Sequence, residues 1–114
     1  MAGTPFKDGP AFITDASDDL YVPASSAVYA LVRHIHLVNT DSSARTVSLY
    51  VGATGAESAG TEILKDKSIA VGDTYDLYFP SGLKLTSTDF LVGDASVTNK
   101  VTATITGELY ATPI

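Results

Sequence analysis

Hydrophobic and polar residues alternate with a period of two along much of this chain. The clearest case is Lys100 to Tyr110, where Val101, Ala103, Ile105, Gly107 and Leu109 take turns with Thr102, Thr104, Thr106, Glu108 and Tyr110. Successive side chains of a strand point to opposite faces, so this pattern predicts a strand with one dry and one wet side. Thr74 to Phe79 repeats it, with Tyr75, Leu77 and Phe79 opposing Thr74, Asp76 and Tyr78. Val28 to Asn39 is the strongest apolar run. Tyr29, Leu31, Arg33, Ile35 and Leu37 fall on one face, and Val28, Ala30, Val32, His34, His36 and Val38 on the other. Its first half is apolar on both faces, which predicts a central strand, and its second half turns Ile35 and Leu37 inward. Asn39 to Ala44 (NTDSSA) has turn composition and Arg45 to Val51 alternates again, so the two runs are expected to pair as a hairpin.

The remaining segments are shorter. Gly52 to Gly60 is a loop of small residues, Thr61 to Leu64 a weak strand, Lys65-Asp66-Lys67 a charged turn and Ser68 to Val71 a short strand. Gly72-Asp73 turns the chain, Pro80-Ser81-Gly82 ends the Thr74 strand, and Leu83 with Leu85 makes a brief extended piece. Phe90 to Val92 is another, followed by a turn over Gly93 to Asn99. No window carries a helical period of 3.6. About seven to nine short strands with frequent turn signals predict an all-β chain, an antiparallel two-sheet sandwich or jelly roll. Residues 1–25, broken by Pro5, Pro10 and Pro23, are expected to be an extended N-terminal arm, and residues 26–114 the β-sandwich domain. Short extended pieces fit Ala11 to Thr14 and Asp19 to Val22. Two roles are open to the arm: packing on its own domain as an edge strand, or reaching a neighbouring subunit.

Composition sharpens the class. The 114 residues leave room for one domain, and 45% of them are hydrophobic against 18% charged, which suggests that a partner covers some surface. Thr and Ser carry the polar balance, as suits strands. A net charge of −6 argues against nucleic-acid and anionic-membrane partners, which need clustered Lys and Arg. No apolar run reaches the roughly 18 residues of a membrane helix, and MAGTPFKDGP has no signal-peptide pattern. The absence of cysteine excludes disulfides, thiol catalysis and Cys-ligated metals.

Candidate chemistry is sparse. His34 and His36 share a strand face, but zinc usually takes three or four ligands and no HxxxH pattern or cysteine completes the set, so a surface or interface pair is expected and no metal site, unless a partner subunit's carboxylate joins them. Asp15, Asp18 and Asp19 offer oxygen ligands without the calcium-loop pattern, which favours a solvated acidic turn. Glu57, Glu62, Asp73, Asp76 and Asp89 could supply an acid/base pair only if the fold brings two together. A small hydrolase using Asp76 or His36 is the weakest reading, because no nucleophile or phosphate-binding motif occurs. Tyr50, Tyr78 and Tyr110 fall on the polar phase of their strands, and with Tyr75 they suggest a platform for protein or sugar contact. The alternative is cross-strand packing with Thr on an open sheet face. With Phe6 and Phe12 of the arm, Tyr50, Tyr78, Tyr110, His34 and His36 are the interface candidates. No catalytic or cofactor-binding residue is assigned.

Three stretches carry a family resemblance: IHLVNTDSSARTVSLYVGA, SIAVGDTYDLYFPSGLKLTSTDFLVG and NKVTATITGELY. A strand ending in VNT, a short turn, a Thr/Val strand ending at a Gly loop, GDTYDLYFPSGLKL and a last VTATITGELY strand follow in order. From Arg33 to Tyr110, about two-thirds of the chain, this resembles small bacteriophage virion structural proteins of β-sandwich type. The resemblance implies a non-enzymatic protein of the virion without cofactors. Its first expectation is a capsid decoration (cement) protein, a homo-oligomer guessed to be a trimer, held on a major capsid or tail protein. The alternative is a tail, neck or fibre-associated module that binds a host receptor or glycan.

Overall fold

Two four-stranded antiparallel sheets make up the computed structural model, which describes residues 3–16, 18–23, 29–52 and 61–110. The strands in chain order are β1 (Thr4–Phe12), β2 (Asp18–Tyr21), β3 (Tyr29–Asn39), β4 (Arg45–Gly52), β5 (Glu62–Ile69), β6 (Thr74–Thr86), β7 (Phe90–Ala95) and β8 (Val101–Tyr110). One sheet has the order β1-β8-β3-β6 and the other β2-β7-β4-β5. No described residue is helical. The fold is therefore the all-β antiparallel sandwich that the alternation predicts.

The core between the sheets is aliphatic. Ile35, Leu37, Ala103 and Ile105 from the first sheet meet Val47, Leu49, Leu91 and Ala95 from the second, all at most 5% exposed. β8 keeps its predicted phase throughout, with Val101, Ala103, Ile105 and Gly107 buried and the threonines half-exposed. β3 does not. Ala30 and Val32 are inward in its first half, then Ile35, Leu37 and Asn39 in its second. The register slips between Val32 and His34 against both neighbours, so Arg33 is an extra residue that switches the inward phase. On β8 the partners step only from Gly107 to Thr106, while on β6 they jump from Leu83 to Tyr78. This β-bulge corrects the expected single face running from Tyr29 to Leu37.

β3 and β4 are not a hairpin. Both edges of β3 are occupied by β6 and β8, and residues 40–44 carry the chain across to the other sheet. Asn39, fully buried, fixes this crossing: its Nδ2 donates to the carbonyls of Ser43 (2.9 Å), Ile69 (3.0 Å) and Ala70 (3.3 Å), and its Oδ1 accepts from Asp41 N–H. Two expected turns are bulges within continuous strands. Lys65 to Lys67 belongs to β5, where Asp66 takes a positive φ and Ser48 Oγ receives its N–H. Pro80 to Gly82 belongs to β6, where Gly82 takes φ +81°. A strand interrupted by Gly or Pro looks like two strands when only the alternation is visible.

The N-terminal segment lies in both sheets. β1 is an edge of the first beside β8, and β2 an edge of the second beside β7. Between them Ile13 enters the core, its N–H bonded to Val101 O and its carbonyl to Asn99 N–H. Phe6 stacks on Tyr21 with ring centroids 4.9 Å apart, joining β1 to β2. Of the two roles open to the segment, these residues adopt the edge-strand one on their own domain. Val28, Glu57 and residues 53–60 of the expected Gly loop lie outside the described residues.

Candidate functional site

The bulge at Arg33 decides what the outer face of the first sheet presents. Strict alternation from Val32 would aim His34 and His36 into the core; the extra residue turns both outward. Asp76 of β6 pairs directly with His36, and Tyr78 with His34. Directly opposed side chains on neighbouring strands lie about 5 Å apart at Cβ, so the register delivers all four to one patch.

Within that patch Asp76 Oδ1 is 2.7 Å from His34 Nε2 and 2.5 Å from His36 Nδ1. An ionised carboxylate only accepts, so each of those nitrogens carries a proton facing it. The hydrogen bonds from His36 and then His34 hold the Asp76 carboxyl below the ordinary carboxylate range, against a smaller opposing effect of desolvation. Tyr78 lies flat on His34, with centroids 4.4 Å apart and planes 5° apart, and is itself 66% exposed. The rest of the outer face is built from similar cross-strand pairs. Arg33 Nε donates to Glu108 at 3.0 Å and its Nη1 to Pro80 O. Tyr29 stacks on Tyr110 at 4.6 Å, with Lys84 Nζ 4.8 Å from the Tyr29 ring centre. Phe12, 52% exposed, sits opposite Thr102 at the β1 edge.

The structure thus brings together three of the interface candidates, His34, His36 and Tyr78, and places Tyr110 and Phe12 farther along the same face. It separates the others. Tyr50 is on the outer face of the opposite sheet, where its hydroxyl donates to Asp94 at 2.9 Å; burial first, and then Asp94, push its pKa up. Tyr75 packs against the core, and Phe6 is partly buried against it on Tyr21. No single platform contains Tyr50, Tyr75, Tyr78 and Tyr110. Asp73 and Asp89 accept backbone N–H bonds from Thr74 and Thr86 in turns. The Asp18 side chain lies outside the described residues.

Among the described residues, His34, His36 and Asp76 are the only group of three side chains able to hold a metal ion, with ligand atoms all within 4.8 Å of one another. The pair of histidines was visible in the sequence. Their third member stands about 40 residues away, and only the β3–β6 register brings it close. No protein-family model, curated protein or solved structure matches the chain.

Proposed function

We propose that this chain is a structural subunit of a bacteriophage particle, a capsid decoration protein that acts by burying the outer face of its β1-β8-β3-β6 sheet. The observation that carries the reading is the character of that face: ordered cross-strand pairs, with Tyr78 two-thirds exposed and Phe12 half-exposed. Rigid, partly exposed aromatics give contact area at small entropic cost.

The sheet edges favour the same conclusion by their unsuitability. β1 bulges between Asp8 and Ala11, β5 bulges at Asp66 beside Lys65 and Lys67, β6 bulges at Pro80 to Gly82, and β2 is four residues long. Bulges, Pro and charge are the features that keep open strand edges from pairing with other chains. Association then falls to a face. The partners on this reading are copies of the chain, a trimer by analogy with threefold sites on shells, and a major capsid or tail protein in the virion.

Adding purified chain to particles that lack it tests the proposal. Wild-type chain should bind and raise their resistance to heat, and Tyr78→Ala with Phe12→Ser should weaken binding without unfolding the chain. A chain that stays monomeric and fails to join the particles contradicts it. Binding to a surface polysaccharide in the same series would move the reading to a tail or fibre module, using Tyr78 as its stacking ring.

A further inference from the structure

We propose that His34, His36 and Asp76 form a binding site for a transition-metal dication of the zinc class. The donors are two imidazole nitrogens and one carboxylate oxygen, a set that suits zinc and its neighbours, whereas calcium and magnesium prefer oxygen alone. Three protein ligands with a solvent-held fourth position make up an open zinc site. The side chains are 27%, 39% and 33% exposed for His34, His36 and Asp76, which leaves a path for the ion and room for that water.

The scaffold holds the donors in place. All three stand on adjacent strands of one sheet, fixed by the His36–Asp76 register and by the bulge at Arg33. The parallel stack of Tyr78 sets the plane of the His34 ring. Asp76 Oδ1 now accepts N–H bonds from both rings; a metal ion with bonds of about 2.0–2.1 Å replaces those two hydrogens. Each neutral imidazole then carries its proton on its other nitrogen, and the carboxylate keeps its charge toward the ion. Tetrahedral corners at those bond lengths are about 3.3 Å apart, between the 2.5 and 2.7 Å of the two carboxylate–imidazole contacts and the 4.8 Å within which all three donors lie. The net charge of −6 favours the approach of a cation. The site needs only the isolated chain, so it stands or falls separately from the particle role.

The test uses the untagged full chain, freed of metal by chelation and titrated with Zn2+ by calorimetry and with Co2+ by visible absorption. Saturable binding of a single ion per chain is expected, with the cobalt bands of a four-coordinate centre and zinc-induced NMR shifts in both imidazole rings. His36→Ala and Asp76→Asn should each weaken zinc binding by roughly a hundredfold or more, beyond what losing an outer contact costs. If a variant unfolds, the ring shifts of the wild-type chain decide. The proposal is overturned by the absence of saturable binding, by zinc affinity unchanged in a folded Asp76→Asn chain, by shifts that spare either ring, or by calcium binding as tightly as zinc.

Discussion

Gly107 lies opposite Val32 so closely that a Cβ on it would run into the carbonyl oxygen of Leu31. The missing side chain lets β8 and β3 approach just where β3 takes in its extra residue, Arg33. Past that point the inward phase passes from Val32 to Ile35, and His34 and His36 face outward instead of into the core. A single glycine thus bears on both the packing of the sandwich and the composition of its outer face.

Gly107→Ala should cost roughly 3 kcal/mol, the upper end of what overpacking a close-fitted site costs, because the obstacle is backbone and cannot swing aside. Urea unfolding should show a lower midpoint at an unchanged slope. The His34 and His36 ring signals should move with it, since their placement depends on the same bulge.

Asn39→Ala should destabilise by about 2–3 kcal/mol, since the carbonyls of Ser43, Ile69 and Ala70 lose a common buried donor. Asn39→Asp should be worse, because it sets a carboxylate against carbonyl oxygens. Thermal unfolding of the two variants beside the wild type gives the order.

The strand content was legible because alternation is a local property. β8 can be placed residue by residue, and the inward side of Ile35 and Leu37 is readable from the same alternation. Connectivity was not legible in the same way. Asn39 to Ala44 has turn composition whether it joins paired strands or crosses between sheets, and the difference rests on the reach of Asn39 to Ile69 and Ala70. Bulges were hidden for a related reason: an extra residue looks like the end of a strand, as at Lys65 to Lys67 and Pro80 to Gly82. Gly107 did carry a signal, since an interior strand glycine marks a bulge or a close backbone approach. Asp76 was readable as a carboxylate on the polar face of its strand, but its place beside the histidines was not, because nothing in the sequence alone sets the pairing of β3 with β6.

Acid should weaken the fold through Asp41 and Asp76. Backbone N–H of Ser42 and then Arg45 lower the Asp41 pKa, and His36 and then His34 lower that of Asp76. Both bind protons less readily in the folded chain. Their stabilisation is therefore complete above the unfolded carboxyl value of about 4 and is lost as pH falls through the lower folded values. Asp41→Asn and Asp76→Asn should be less stable than wild type at neutral pH and lose less between pH 5 and strong acid. Urea midpoints across that range test this, and profiles parallel to wild type contradict it.

Arg33 and Glu108 form the most prominent ion pair of the outer face, yet their side chains are 37% and 28% exposed. Solvent screening keeps such a pair weak. A double-mutant cycle with Arg33→Met and Glu108→Gln should return only a small coupling, shrinking as salt is added. The loss from Gly107→Ala should exceed it.

The central claim is that the outer face of the β1-β8-β3-β6 sheet is buried in an assembly. An electron cryo-microscopy map of the intact particle measures this most directly. The expected map shows the chain on the particle with Tyr78 and Phe12 covered by a neighbouring subunit. A particle that lacks the chain, or carries it with that face turned to solvent, contradicts the claim.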